Sequence, residues 1–359
     1  MVRLKTDGGD GGLAAVLTEQ IEKRGAISVA EYMQECLSHP QYGYYMTRDP
    51  FGVKGEFTTA PEISQLFGDL VGAFLLENWR ASGAPHRAVF VELGPGRGTL
   101  AADILRITGK AAPDFCAKTQ LHLVETSPYL RDMQRRSLAG FGAEKIFFHD
   151  DLSTLPDDRP LLVVANEFFD ALPVRQFVMT ENGWRERGIG TDGQGGFVFT
   201  LLDGAPELDL PAEAETGAVF EKNTAAESVM RDLAGRIVRQ HGIALVIDYG
   251  YTADPAFGDT FQALSADGFA DPLEKPGACD LTAHVDFAVL RRIAEEAGAG
   301  VTEILTQGEF LRRIGIEDYA EKLRRNADAQ AQKNLAAALH RLTSASEMGV
   351  LFKVMGISG

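Results

Sequence analysis

Val89-Phe90-Val91-Glu92-Leu93-Gly94-Pro95-Gly96-Arg97-Gly98-Thr99-Leu100 is the stretch whose reading decides the fold. An apolar strand pattern runs into glycines at alternate positions, and a helical pattern follows over 100–108. A strand that turns this tightly into a helix brings a ligand against backbone N–H groups and the helix N-terminus. The loop alone leaves a dinucleotide site open. It departs from the G-x-G-x-x-G/A fingerprint, however, because Gly98 comes one place early and Thr99 stands at the fingerprint position. Pro95 also removes an N–H that a pyrophosphate could use. Both features favour S-adenosylmethionine, whose amino-acid end carries one carboxylate, and they make Glu92, Gly94, Gly96 and Gly98 the cofactor-loop candidates.

Outward from this loop, short apolar strands alternate with helices, the pattern of a parallel sheet built from βαβ units. The expected strands are 89–93, 121–125, 145–149, 161–165 and 244–247, with helices at 100–108 and 129–139. Between the fourth and fifth strands, 176–179, 184–188 and 197–200 are separated by turn residues, as in antiparallel hairpins. A helix over 285–297, a strand over 301–305, helical sequence over 310–342 and a last strand over 350–355 follow. This order predicts an α/β class I (Rossmann-like) methyltransferase fold: a seven-stranded, mostly parallel sheet with the last strand antiparallel, an N-terminal helical cap and an inserted β meander. The expected division is 1–85 for the cap, 86–173 for the first part of the core, 174–224 for the meander and 225–359 for the second part, with a helical insertion at 306–345. Within the cap, 13–24 reads as a helix and Ser28 with Glu31 as a capping box. Asp49-Pro50-Phe51-Gly52 carries turn chemistry. Pro61 and Glu62 open a helix carrying Ile63, Leu66, Phe67, Leu70 and Phe74 on one face.

Acidic residues at strand ends supply the candidate chemistry. Glu125, after the second strand, can accept both hydroxyls of a ribose. Asp150 and Asp151, after the third, can reach an adenine amino group. Past the fourth strand, Asn166-Glu167-Phe168-Phe169-Asp170 puts two acids three residues apart, on one side of a helical turn. Such a pair can hold an arginine guanidinium and leave one nitrogen facing a methyl sulfonium. Asp248-Tyr249-Gly250 ends the fifth strand on the same rim. The segment 280–287 begins the next helix, with Thr282 as its N-cap and His284 as a candidate base.

The chain has 359 residues, a formal net charge of -16 and 45% hydrophobic residues; its mean hydropathy is -0.09. No dense basic block offers a nucleic-acid surface, and no apolar run approaches membrane-helix length. With no secretory or transit pattern at the start, a cytoplasmic location is expected. The three cysteines, Cys36, Cys116 and Cys279, and the seven histidines show no metal-ligand spacing. There is no serine-centred nucleophile elbow, so neither a metal nor a covalent nucleophile is expected. The oligomeric state leaves no mark in the sequence.

Eight segments carry a resemblance: 38–45, 57–68 (FTTAPEISQLFG), 91–100 (VELGPGRGTL), 124–130 (VETSPYL), 165–177 (ANEFFDALPVRQF), 247–251 (IDYGY), 280–287 (DLTAHVDF) and 347–354 (EMGVLFKV). In these the chain resembles the MidA-like methyltransferases, a family that includes a mitochondrial complex I assembly factor acting as a protein arginine methyltransferase. The resemblance implies S-adenosylmethionine as methyl donor and a protein substrate, an arginine of a respiratory complex I subunit. It also implies that the segment around Thr58 to Glu62 closes the cofactor site, with Thr59 and Pro61 in it. The sequence departs from the family at 258–264, only loosely like its Gly-Thr-Leu segment, and at Ser265-Ala266-Asp267-Gly268, where a histidine is expected. The alternative reading is a cofactor-binding assembly factor or scaffold with little catalysis; an oxidoreductase is a third.

Overall fold

The computed structural model describes residues 11–48, 59–84, 88–265 and 268–359. The turn residues at 49–52, the segment 57–58 and the departure at 266–267 fall outside them, as do the first ten residues. Seven strands form the main path of a sheet: β1 (Val89–Leu93), β2 (Gln120–Val124), β3 (Ile146–His149), β4 (Leu161–Asn166), β5 (Ile243–Tyr251), β6 (Gly300–Val301) and β7 (Phe352–Ser358). Their order is β3-β2-β1-β4-β5-β7-β6, with β1 to β5 parallel and β7 antiparallel to both its neighbours. The order reverses between β1 and β4, so the glycine loop opens at the switch point where α/β sheets bind ligands.

Burial on both faces explains the near-continuous apolar strands. Neighbouring residues divide between the layers. Val164 and Leu245 pack with Leu70 and Ile104 on one face, while Val163 and Val246 pack with Met230, Ile237 and Leu290 on the other. Helices Gln65–Ala81 and Thr99–Ala111 approach closely at Gly72, where a Cβ would stand 2.6 Å from Ile107 Cγ2.

A second sheet contains Ile27–Ser28, Arg175–Thr180, Gly183–Thr191, Phe197–Leu201 and Val219–Lys222. A third joins Gln262–Ser265, Gly268–Ala270 and Asp280–Thr282. The N-terminal helices Gly11–Arg24 and Val29–Ser38 bury Leu17, Tyr32 and Met33 with Ile189, Ala263 and Leu281 of these sheets. The Ser28–Glu31 capping box forms.

Local differences from expectation have local causes. The helix opening at Pro61 stops at Ile63, because Ser64 is extended (φ -167°, ψ 146°) and its side chain caps a new helix at Leu66 N. Over 280–287 a strand precedes the helix, whose N-cap is Asp286 rather than Thr282. The strand expected at 301–305 is two short pairings, with Thr302 between them exchanging hydrogen bonds of 2.9 Å with Gly356. The last strand begins only at Phe352, since Met348–Leu351 is a helical turn. The helical stretch 310–342 divides into Gln307–Arg313, Ile316–Arg324 and Ala329–Thr343, with Gly315 at positive φ (88°) at the first break.

Leu123 is fully buried in β2. Leu123→Ala is expected to cost about 2–5 kcal/mol, the range for a large-to-small core change, read as a lowered urea midpoint at unchanged slope.

Candidate active site

The glycine loop has the backbone its composition suggests. Gly94, Gly96 and Gly98 all have positive φ (61°, 52° and 80°), a conformation costly for any side chain. The Gly98 N–H closes the turn on the Pro95 carbonyl at 2.7 Å. Glu92, near the end of β1, is 3% exposed, and its Oε2 has no hydrogen-bond partner among the described residues. Burial pushes its pKa up to about 8, and the Ala101 N–H draws it back only in part. A buried acid beside this loop fits the ammonium of the amino-acid end of S-adenosylmethionine. Pro61 and Thr59 line the same hollow, and Glu62 accepts the Thr99 hydroxyl and pairs with Arg97 at 3.5 Å.

Glu125 follows β2 on the cleft wall. Its Oε1 accepts the Ser127 N–H at 2.8 Å, its Oε2 accepts Gln134 Nε2 at 3.2 Å, and burial raises its pKa to about 7. A carboxyl so fixed can take ribose hydroxyls. Gln134, fully buried, also donates to the Gly96 carbonyl at 2.7 Å, so one side chain sets the glycine loop against the acid. Sequence alone does not single it out. Its one signal is a polar residue four places from Leu130 on the buried helix face.

Asp150 and Asp151 are not brought to the cleft lining. Asp150 pairs with Arg131 at 2.7 Å, and Asp151 caps the turn Leu152–Thr154 through the Ser153 N–H at 2.8 Å. Both acids thus have partners of their own in this structure. Beside Glu125 the described wall is made by Leu37, Met46 and Leu130.

Glu167 and Asp170 do meet, but not on a helical turn. Glu167 has φ 51°, and the chain bends around it into a turn held by Asp248 in the second half of β5. Asp248 Oδ2 accepts the N–H groups of Phe168, Phe169 and Asp170 at 3.1, 2.9 and 3.3 Å. Glu167 Oε1 accepts Ala60 N at 3.1 Å and Asn166 Nδ2 at 3.0 Å. Glu167 Oε2 and Asp170 Oδ1 are buried without a hydrogen bond of normal geometry among the described residues. Burial, then the nearby Asp170, pushes Glu167 up to about 8. Burial raises Asp170 to about 6, with the Tyr249 hydroxyl drawing it back.

His284 is turned elsewhere. It lines a separate hollow with Glu221, Tyr251 and Asp286 and packs edge-on against Tyr249, 5.4 Å between ring centres. Tyr249 packs against His284 and interacts through its hydroxyl with Asp170, and the structure does not bring His284 into the described lining of the cleft.

The cleft, ≈ 840 Å³ with its solvent-open mouth, shares Thr59, Gly94, Gly96 and Glu167 with the ≈ 370 Å³ hollow beneath the loop. Its described lining carries Glu125, Glu167, Asp170 and Asp280, with no Lys, Arg or His. Among the described residues no group of three or more His, Cys, Asp or Glu is placed to hold a metal ion.

The family of S-adenosyl-L-methionine-dependent methyltransferases matches over residues 70–305. The chain belongs to this family. A solved structure from Burkholderia thailandensis bound to S-adenosyl-homocysteine is 30% identical and superposes with a TM-score of 0.85, covering 100% of this chain and 95% of that one. Protein arginine methyltransferase NDUFAF7 homolog, mitochondrial, of Drosophila melanogaster is 39% identical over 98% of this chain and 86% of its own length. Human NDUFAF7, named in the same way, is 36% identical over 95% and 82%. This chain is thus an S-adenosylmethionine-dependent methyltransferase. The expectation of a cytoplasmic location does not stand, because these relatives are named mitochondrial. No helix among the described residues is long and apolar enough to cross a membrane.

With a pKa of about 8, Glu92 is largely protonated at pH 7 in the free protein. An ammonium beside it favours the carboxylate, so S-adenosylhomocysteine binding should release protons at pH 7, and the release should fade as pH rises past that value. Calorimetry in buffers of different ionisation enthalpy measures this. Glu92→Gln should remove most of the release and weaken binding roughly 10- to 100-fold, the worth of a charge-assisted hydrogen bond.

Proposed function

We propose that this methyltransferase acts on an arginine side chain of a protein, and that a respiratory complex I subunit carries that arginine. The observation behind the arginine is the pair of buried carboxyl oxygens, Glu167 Oε2 and Asp170 Oδ1, in a cleft whose described lining has no cationic side chain. A buried acid pair without a counter-charge is costly, and a planar guanidinium supplies both the charge and the N–H groups. The names of the relatives agree with the substrate class, and the resemblance to the complex I assembly factor family supports the carrier.

Bound S-adenosylmethionine supplies a methyl group activated by a sulfonium. The protein holds and orients the acceptor. Glu92 and the glycine loop take the amino-acid end of the donor, with Thr59 and Pro61 beside them, and Glu125 takes the ribose. Asn166 holds Glu167 Oε1, leaving Oε2 to accept N–H from the guanidinium together with Asp170. As the acceptor nitrogen gains the methyl carbon it gives up one proton, which Glu167 Oε2 receives. Positioning of this kind, with nearby negative charge for the cationic acceptor, is the protein's main contribution.

Glu167→Gln should lower label transfer from donor to arginine in extract lacking this protein by roughly 100-fold or more, with S-adenosylhomocysteine affinity kept within about twofold of wild type, a small change on the binding scale. A wild-type protein that binds the donor and labels no protein arginine would instead support the scaffold. Because kcat/KM reports the free enzyme, it should rise with pH towards about 8 as Glu167 loses its proton, and Glu167→Gln should flatten that rise.

A further inference from the structure

One aromatic ring stands where the donor loop meets the acceptor acids. Phe168 follows Glu167 in the turn and lines the cleft together with Glu167, Asp170 and Gly94. Its place is set from three sides. The Asp248 carboxylate accepts its N–H at 3.1 Å, Phe169 meets its ring edge-on at 5.3 Å between centres, and a Cβ on Gly94 would stand 2.9 Å from Phe168 Cδ2. Phe169 is 1% exposed and belongs to the core, whereas Phe168 is only half-buried and keeps part of its ring toward the cleft.

As a filler this ring is poorly explained, because an aliphatic side chain would supply the same apolar contact. What a ring adds is a negative face that attracts cations and stacks on planar groups. The acids beside it do not tell one cation from another. Glu167 Oε2 and Asp170 Oδ1 are open to any N–H donor, and a lysine ammonium could serve both. A guanidinium is flat, so it can lay its plane on an aromatic face while its edge N–H groups reach the carboxylates. An ammonium has no plane to stack. Phe168, between Glu167 and Asp170 in the turn, adds the test of shape that two carboxylates lack, and its fixed position lets it do so with little order lost on binding.

We propose that the Phe168 ring stacks on the plane of the acceptor guanidinium and makes the site select arginine over lysine. This rests on the arginine reading. The ring's effect on the acceptor and on the donor can be measured separately.

The experiment titrates methylguanidinium and, separately, methylammonium into the full chain loaded with S-adenosylhomocysteine, followed by NMR, and measures label transfer to arginine in extract lacking this protein. In the wild type, bound methylguanidinium should show nuclear Overhauser contacts to the Phe168 ring protons and bind more tightly than methylammonium. Phe168→Leu should weaken methylguanidinium roughly three- to tenfold, the worth of a partly desolvated cation–π contact, and change methylammonium by less than about twofold. Phe168→Tyr should keep the wild-type preference. Affinities for S-adenosylmethionine and S-adenosylhomocysteine should both stay within about twofold of wild type in Phe168→Leu. An unchanged preference between the two cations in Phe168→Leu overturns the proposal. So does a loss confined to S-adenosylmethionine, which assigns the ring to the donor sulfonium. If Phe168→Leu no longer binds S-adenosylhomocysteine, the wild-type contacts decide, and bound methylguanidinium without a contact to Phe168 overturns it. A wild-type protein that labels arginine but holds no methylguanidinium overturns the ring proposal alone, and one that does neither overturns the arginine reading itself.

Discussion

One buried carboxylate holds the acceptor end together. Asp248, fully buried in the second half of β5, gathers three consecutive N–H groups, those of Phe168, Phe169 and Asp170, on Oδ2 and its neighbour Tyr249 N on Oδ1 at 3.0 Å. Burial and the nearby Asp170 and Glu167 push its pKa well up, and the backbone donors oppose them. This arrangement allows Glu167 to sit at φ 51°, a conformation that costs of order 1–3 kcal/mol outside glycine and persists only where its surroundings hold it. The Asp248 bonds hold the turn, and Ala60 N and Asn166 Nδ2 on Glu167 with Ala283 N on the Asp170 carbonyl complete the placing of the two acids.

The same turn bounds the cofactor loop. A Cβ on Gly94 would lie 2.9 Å from Phe168 Cδ2, so the glycine is needed for close packing as well as for its positive φ. Ala60 N bonds Glu167, and Glu62 bonds Thr99 and Arg97, so the N-terminal segment touches both the acceptor acids and the donor loop. The cap is thus part of the site's wall. Tyr45 extends this from Ser127 to Asp280.

Features that rest on neighbours in sequence are legible in the sequence itself. The buried parallel strands show as apolar runs, the Ser28–Glu31 box as a spacing, and the loop glycines by the conformations that only they adopt cheaply. Features built from distant contacts are not legible in this way. Asp248 reads as another rim acid because its N–H partners lie about 80 residues earlier, and Tyr45 and Asp280 are 235 residues apart. The pairing of Glu167 with Asp170 follows from the three-residue spacing for the wrong local reason, since a left-handed residue and a captured turn, not a helix, bring them together. His284 lines a different hollow from the acids, following a strand over 280–282 where a helix start is expected. Asp150 and Asp151 satisfy local partners that a strand-end rule does not see.

Two buried acids with open oxygens, Glu167 and Asp170, meet at the acceptor end of this cleft, and the cation that matches them is an arginine guanidinium. A crystal structure of the protein with S-adenosylhomocysteine and an arginine-bearing peptide tests this most directly. The guanidinium is expected within hydrogen-bond distance of Glu167 Oε2 and Asp170 Oδ1, with one nitrogen facing the donor sulfur. A peptide whose arginine lies outside the cleft while the donor site is filled would contradict it.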